Sequence, residues 1–149
     1  NDRFVAYQCR YGNSLEFYFA SDTAAENVTI ALSLSAEMSN LSLDESSYGI
    51  YLNDQKLSYA PIVIDDVPAF DAVLYLADCP PFRTFVIARD ASLKEGANLL
   101  RIVTENNESY PGSTMTAHAP LVDCLIIDTD AVLIWDENHG VPAEGNYAK

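Results

Sequence analysis

The sequence predicts an all-β chain, an antiparallel β-sandwich of jelly-roll type, and three observations lead there. Apolar residues recur with a period of two along most of the chain. Short clusters of Gly, Asn, Asp, Ser and Pro separate the alternating runs, and the prolines fall outside those runs or at their ends, where no ladder hydrogen bond is lost. Only 21–27 and 37–45 have room for a helical turn or two.

The elements follow in order. A first strand is expected over 4–9. Leu15, Phe17 and Phe19 then alternate with Glu16 and Tyr18, giving one dry and one wet face. The cleanest strand follows, with Val28, Ile30, Leu32 and Leu34 alternating with Thr29, Ala31, Ser33 and Ser35. The run 48–57 alternates with Asn53-Asp54 at its tip and reads as a hairpin turning through positive φ. Strands are expected again over 72–76 and 82–88. In Leu93-Lys94-Glu95-Gly96-Ala97-Asn98, Gly96 takes positive φ freely and Asn98 tolerates it, so the chain reverses before a strand over 99–104. The last strands are expected over 121–127 and 132–135. Pro61, Pro68, Pro80, Pro81, Pro111 and Pro120 all respect this map. Residues 137–149 are polar, contain Gly140, Pro142 and Gly145, and read as a linker or tail, which leaves 1–136 as one domain.

A chain of 149 residues is long enough to bury a core without metal or disulfide support. Eight Lys and Arg against 22 Asp and Glu give a net charge of -14, a field that repels phosphate backbones and anionic lipid surfaces. Nucleic acid and membrane insertion are therefore not expected. Such charge serves solubility in the first instance; some of the acids could also collect a divalent cation or recognise a polar neutral ligand such as a sugar. No apolar run approaches the ~20 residues that span a bilayer. The sequence opens at Asn1 rather than Met, as expected of a mature fragment or an excised domain. Cys9, Cys79 and Cys124 have no metal-binding spacing and are expected to be buried thiols, with one disulfide and a spare thiol as the other reading.

The chemistry-bearing stretch is 106–119. It holds Asn107, Glu108, Tyr110, Gly112, Ser113, Thr114 and His118, a mixture of ring face, amide and hydroxyl that suits hydrogen bonding and stacking on a neutral sugar. An ordinary long surface loop is the competing reading. Tyr48 and Tyr59 could add a second aromatic wall, although tyrosine is also common in strands and cores. Enzymatic chemistry finds little support. His118 and His139 sit in no metalloprotease spacing, no Gly-x-Ser-x-Gly elbow exists, and with 22 acids any carboxylate pair could be named, so none is specific.

Placed in this order, the signals resemble the galactose-binding-like jelly rolls, above all the carbohydrate-binding modules of families 6 and 35. The resemblance is carried by the strand pair 15–19 and 28–34, then Tyr51-Leu52-Asn53-Asp54, then Leu93-x-x-Gly96-x-Asn98, then Pro120-Leu121-Val122-Asp123. It spans about 4–127. It implies a non-catalytic carbohydrate-binding module, monomeric and extracellular or cell-surface, within a larger secreted or surface-attached bacterial protein. A glycan would lie between the 106–118 loop and the Tyr48 or Tyr59 region. The acid that opens the first strand in those families and helps hold a structural calcium is replaced here by Val5-Ala6-Tyr7, which leaves Asp123 as the candidate ligand for such an ion. The alternative is a structural or protein-interaction sandwich that spaces or docks neighbouring domains.

Overall fold

The computed structural model describes residues 6–8, 12, 14–35, 41–64, 82–106, 120–135 and 147–148. These form β1 (Ala6–Gln8), β2 (Ser14–Ser21), β3 (Ala25–Ser35), β4 (Leu41–Leu43), β5 (Tyr48–Leu52), β6 (Gln55–Lys56), β7 (Ile62–Ile64), β8 (Arg83–Leu93), β9 (Gly96–Thr104), β10 (Leu121–Asp128), β11 (Leu133–Trp135) and β12 (Tyr147–Ala148). No helix occurs among the described residues. One sheet runs β12-β1-β10-β3-β8, a second runs β11-β2-β9-β5-β6, and β4 pairs with β7 in a short third. Every pairing is antiparallel.

The alternation read from the sequence sets the core. Leu15 and Phe19 of β2 meet Val28, Ile30, Leu32 and Leu34 of β3, Ile50 of β5 and Leu100 and Ile102 of β9 in one apolar cluster. Leu41, Leu43, Ile62 and Ile64 bring the small third sheet into the same cluster. Burying a side chain of this size contributes roughly 1.5–3 kcal/mol. Pro61 and Pro120 stand immediately before β7 and β10, where their missing N–H breaks no ladder.

Several expectations change. The segment 37–45 was open to a helical turn, yet 41–43 is β4 and pairs with β7. Likewise 21–27 is the end of β2, a bend and the start of β3. The second face of β3 is not wet: Ala31 and Ser33 are buried, because larger neighbours flank them in register, Ile126 and Val86 beside Ala31 and Cys124 and Thr84 beside Ser33. Strand β8 continues to Leu93, past the expected end near 88, through register shifts against β3. Cys124 is a free, exposed thiol rather than a buried one. The β10 register shifts between Val122 and Cys124, so Val122, Leu125 and Ile127 face the core and Cys124 turns outward. Cys9 and Cys79, and the strand expected over 72–76, lie outside the described residues. Within the segment read as a tail, β12 pairs with β1.

Candidate functional site

Two ends of the sandwich carry connections, and each is built by a different device. At one end the two motifs that dominate the sequence pattern meet. Asn53 and Asp54 both take positive φ, 49° and 66°, as a two-residue hairpin between β5 and β6 requires. Gly96, at φ 84°, opens β9 after the short turn from β8. Asn98 contributes its side chain, not a left-handed backbone. Its amide nitrogen donates to the carbonyls of Lys94 and Gly96 at 2.9 Å each. Its Oδ1 accepts from the Lys94 N–H at 3.0 Å and from Asn53 Nδ2 at 2.8 Å. Asn53 in turn accepts from the Leu99 N–H through Oδ1 and donates its own N–H to the Leu99 carbonyl. Every hydrogen-bonding position of the buried Asn98 amide is filled, and two connections distant in sequence are fastened together.

The same end holds an open polar cleft of about 590 Å³ between the β2–β3 and β10–β11 connections. Asp22, Glu26, Asp128 and Asp130 line it with Thr23, Asn27, Thr29 and Thr129. Asp22 also pins β11, since its carboxylate accepts from the Val132 N–H at 2.9 Å. No group of three or more His, Cys, Asp or Glu side chains suited to a metal ion occurs among the described residues. Asp123, the sequence candidate for a cation, sits exposed at the β10 register shift.

The opposite end is where β9 stops and the chain sets out toward β10. Tyr48 pairs with Thr104, which brings the start of β5 beside this exit point. Asp44 organises the approach: its carboxylate accepts from the N–H groups of Ser46 and Ser47 and from the Ser46 hydroxyl, contacts that hold its pKa below the usual carboxylate range. The Ser47 carbonyl then accepts from the N–H groups of Glu105 and Asn106 at 2.9 and 3.3 Å. The Glu105 carboxylate accepts from the Tyr51 hydroxyl and, at 2.8 Å, from Lys56 Nζ. Arg101 stacks its guanidinium 4.9 Å from the Tyr51 ring centroid. Partial burial works to raise the Glu105 pKa, but the hydrogen bonds from Lys56 and Tyr51 and the charges of Lys56 and Arg101 outweigh it and hold the carboxyl below its ordinary value. In return, the hydrogen bonds to the Glu105 carboxylate raise Tyr51 and Lys56 above their ordinary values.

Of the residues singled out in the sequence, Tyr48 and Tyr59 lie at this end but inside the core. Tyr48 has no exposed surface and Tyr59 only 8%, so neither ring offers a face to a sugar. Tyr59 instead donates its hydroxyl to the Tyr48 carbonyl, and burial, reinforced by the charges of Asp44, Glu45 and Glu105, pushes its pKa well up. Asn107, Tyr110, Ser113, Thr114 and His118 lie outside the described residues. The lock around Glu105 gave no signal in the sequence, since its partners are 54 and 49 residues away.

No family model matches the sequence, and no curated protein sequence matches it either. Solved structures do match. A family 35 carbohydrate-binding module from an environmental isolate superposes with a TM-score of 0.51 at 15% identity, covering 85% of this chain and 72% of its own. A family 35 module from Cellvibrio japonicus Abf62 gives 0.50 at 13% identity with the same coverage. A third, the family 35 module Xyl-CBM35 in complex with a disaccharide containing glucuronic acid, gives 0.51 at 11% identity, again over 85% and 72%. At these identities the likeness is one of architecture, and the chain has the β-sandwich fold of the family 35 carbohydrate-binding modules.

Proposed function

We propose that the chain is a non-catalytic carbohydrate-binding module, one domain of a larger secreted or surface-attached bacterial protein. The observation that carries this reading is its fold, shared over 85% of the chain with three modules of that kind. The loop chemistry of 106–119 supports it, and Asn107, Tyr110, Ser113, Thr114 and His118 are the proposed contacts. Tyr48 and Tyr59 are buried in the core and are not among the proposed contacts. A structural calcium at Asp123 belongs to the same proposal. A few hydrogen bonds and one or two stacked rings give a Kd of roughly 10⁻³ to 10⁻⁵ M, about -4 to -7 kcal/mol. A glycan array read at high protein concentration, with and without calcium, tests the reading, and silence in both buffers refutes it.

One observation favours a second reading, a module that docks a neighbouring domain. Val132, Ile134 and Trp135 are exposed along the edge strand β11 and its approach, with Ile134 at 69%. Comparing the isolated chain with the same chain joined to its neighbours decides it: protection of the β11 amides only in the joined form supports docking.

A further inference from the structure

Strand β11 is an edge. Strand β2 pairs with it on one side, and no described strand lies on the other. The pairing decides which backbone groups are left over. Ile134 lies opposite Ala20, in step with Val132 and Asp22, whose carbonyl and N–H are joined at 3.1 Å. Residues two apart in an antiparallel ladder repeat the same bonding, so Ile134 turns its N–H and carbonyl to β2 while those of Leu133 and Trp135 point to the open edge. The side chains along that edge are apolar, with Val132 62%, Ile134 69% and Trp135 43% exposed. Apart from its shortness the strand lacks the usual guards of an edge, since 132–135 holds no charged residue and no proline.

This apolar edge runs directly into the acidic cleft. Asp22 belongs to both: its carboxylate accepts from the Val132 N–H, and it lines the cleft with Glu26, Asp128 and Asp130. No Lys or Arg lines that cleft, and none of its carboxylates has an ion pair among the described residues. A second copy of the chain would bring the same carboxylates and a net charge of -14 against this surface, so charge disfavours self-pairing. A strand of three residues also offers few ladder bonds, so a partner must add apolar contact and opposite charge. We infer that β11 and the cleft form one docking surface for an extended basic segment of a partner polypeptide. That segment adds a strand beside Leu133–Trp135, lays alternate apolar side chains along Val132 and Ile134, and places Lys or Arg among Asp22, Glu26, Asp128 and Asp130. The inference is independent of glycan binding; it rests on the docking reading given above and supplies the chemistry of its partner.

The test uses the full chain, in which Trp135 is the single tryptophan and reports by its emission. The probe is the blocked peptide Thr-Val-Thr-Val-Thr-Gly-Lys-Lys, with a control in which both lysines are glutamates. Paired antiparallel, as every strand of this chain is, the probe brings its lysines to the start of β11, where the cleft lies. It is expected to shift Trp135 emission and to slow amide exchange at Leu133 and Trp135 at least fivefold, leaving Ile134, already bonded to β2, as it was. Raising salt from about 20 to about 300 mM weakens binding about tenfold. Asp128→Asn combined with Asp130→Asn does the same at low salt, and Ile134→Lys weakens binding about tenfold; all three positions are exposed, and Ile134→Thr repeats the comparison if the lysine variant does not fold. A glutamate control that binds as well as the probe overturns the charge argument, and binding without protection of Leu133 and Trp135 overturns strand addition. Both amides protected in the chain alone, or an emission shift that grows with protein concentration and no peptide, shows the edge already covered by this chain or a second copy and overturns the inference. Failure of the probe while β11 is protected in the chain joined to its neighbours overturns this partner chemistry and leaves docking standing; failure of both removes the two together.

Discussion

Replacing Asn98 by Ala should be among the most damaging polar substitutions in the described part of this chain. The side chain is 2% exposed and makes four hydrogen bonds, to Lys94 N–H, Lys94 carbonyl, Gly96 carbonyl and Asn53 Nδ2. Each such bond contributes about 0.5–1.5 kcal/mol net, and an unfilled partner costs more where water is excluded. Lys94 and Glu95 are exposed, so water reaches some of the groups left behind. The expected loss is about 2–3 kcal/mol, which for a chain of this length lowers Tm by roughly 5–10 °C. Urea unfolding should show the midpoint falling with m unchanged. Asn98→Asp is the informative control: it keeps the acceptor but turns a carboxylate toward two carbonyl oxygens, and should cost at least as much. Asn53→Ala and the double variant complete a cycle, with a coupling of about 1 kcal/mol expected from the shared 2.8 Å bond. A loss below about 1 kcal/mol for Asn98→Ala, or strict additivity in the cycle, would refute the argument that this amide fastens the two connections.

Tyr110→Ala should weaken glycan binding by about 1 kcal/mol or more and leave stability within about 0.5 kcal/mol, whereas Trp135→Ala should leave binding intact and cost about 1–2 kcal/mol in denaturant titration, since its ring packs 5.1 Å from Phe19. Gly96→Ala meets no neighbouring atom, so its cost is backbone strain alone at φ 84°, about 1 kcal/mol by urea midpoint. The carboxyls of Glu105 and Asp44 are held below their ordinary values, so their contribution to stability is complete above the unfolded carboxylate range and is lost as pH falls through the lower folded values. Urea midpoints between about pH 5 and pH 2 should therefore fall less steeply in Glu105→Gln than in the wild-type chain.

Where the side-chain period survives over five residues or more, strand and core were both legible. Phe17 and Phe19 against Glu16 and Tyr18, and Val28 to Leu34, give their strands away because one face must stay dry. The same rule explains the failures. Strands β4 and β7 are three residues each, Leu41-Ser42-Leu43 and Ile62-Val63-Ile64, too short for a period to stand out. In β8, Arg89 and Asp90 are both exposed, which breaks the alternation where the register shifts and conceals the strand's last turn of pairing. The β10 shift hides the outward aim of Cys124 for the same reason.

The functional groups follow a different logic. Asn98 was legible as a turn residue but for the wrong property, because residue type announces tolerance of positive φ and not the four bonds its amide makes, one of them to Asn53, 45 residues away. Tyr48 and Tyr110 are the same residue type and could not be separated by composition. Register separates Tyr48: opposite Thr104 it faces inward and is sealed, and its role is to hold up the end of the sandwich. Glu105, one acid among 22, became distinctive only when topology placed it against Tyr51, Lys56 and a bare Gly49. Local pattern fixes which face of a strand is dry and long-range pairing fixes which ends meet, so a contact set drawn from β5, β6 and the end of β9 becomes visible only once the strands are paired.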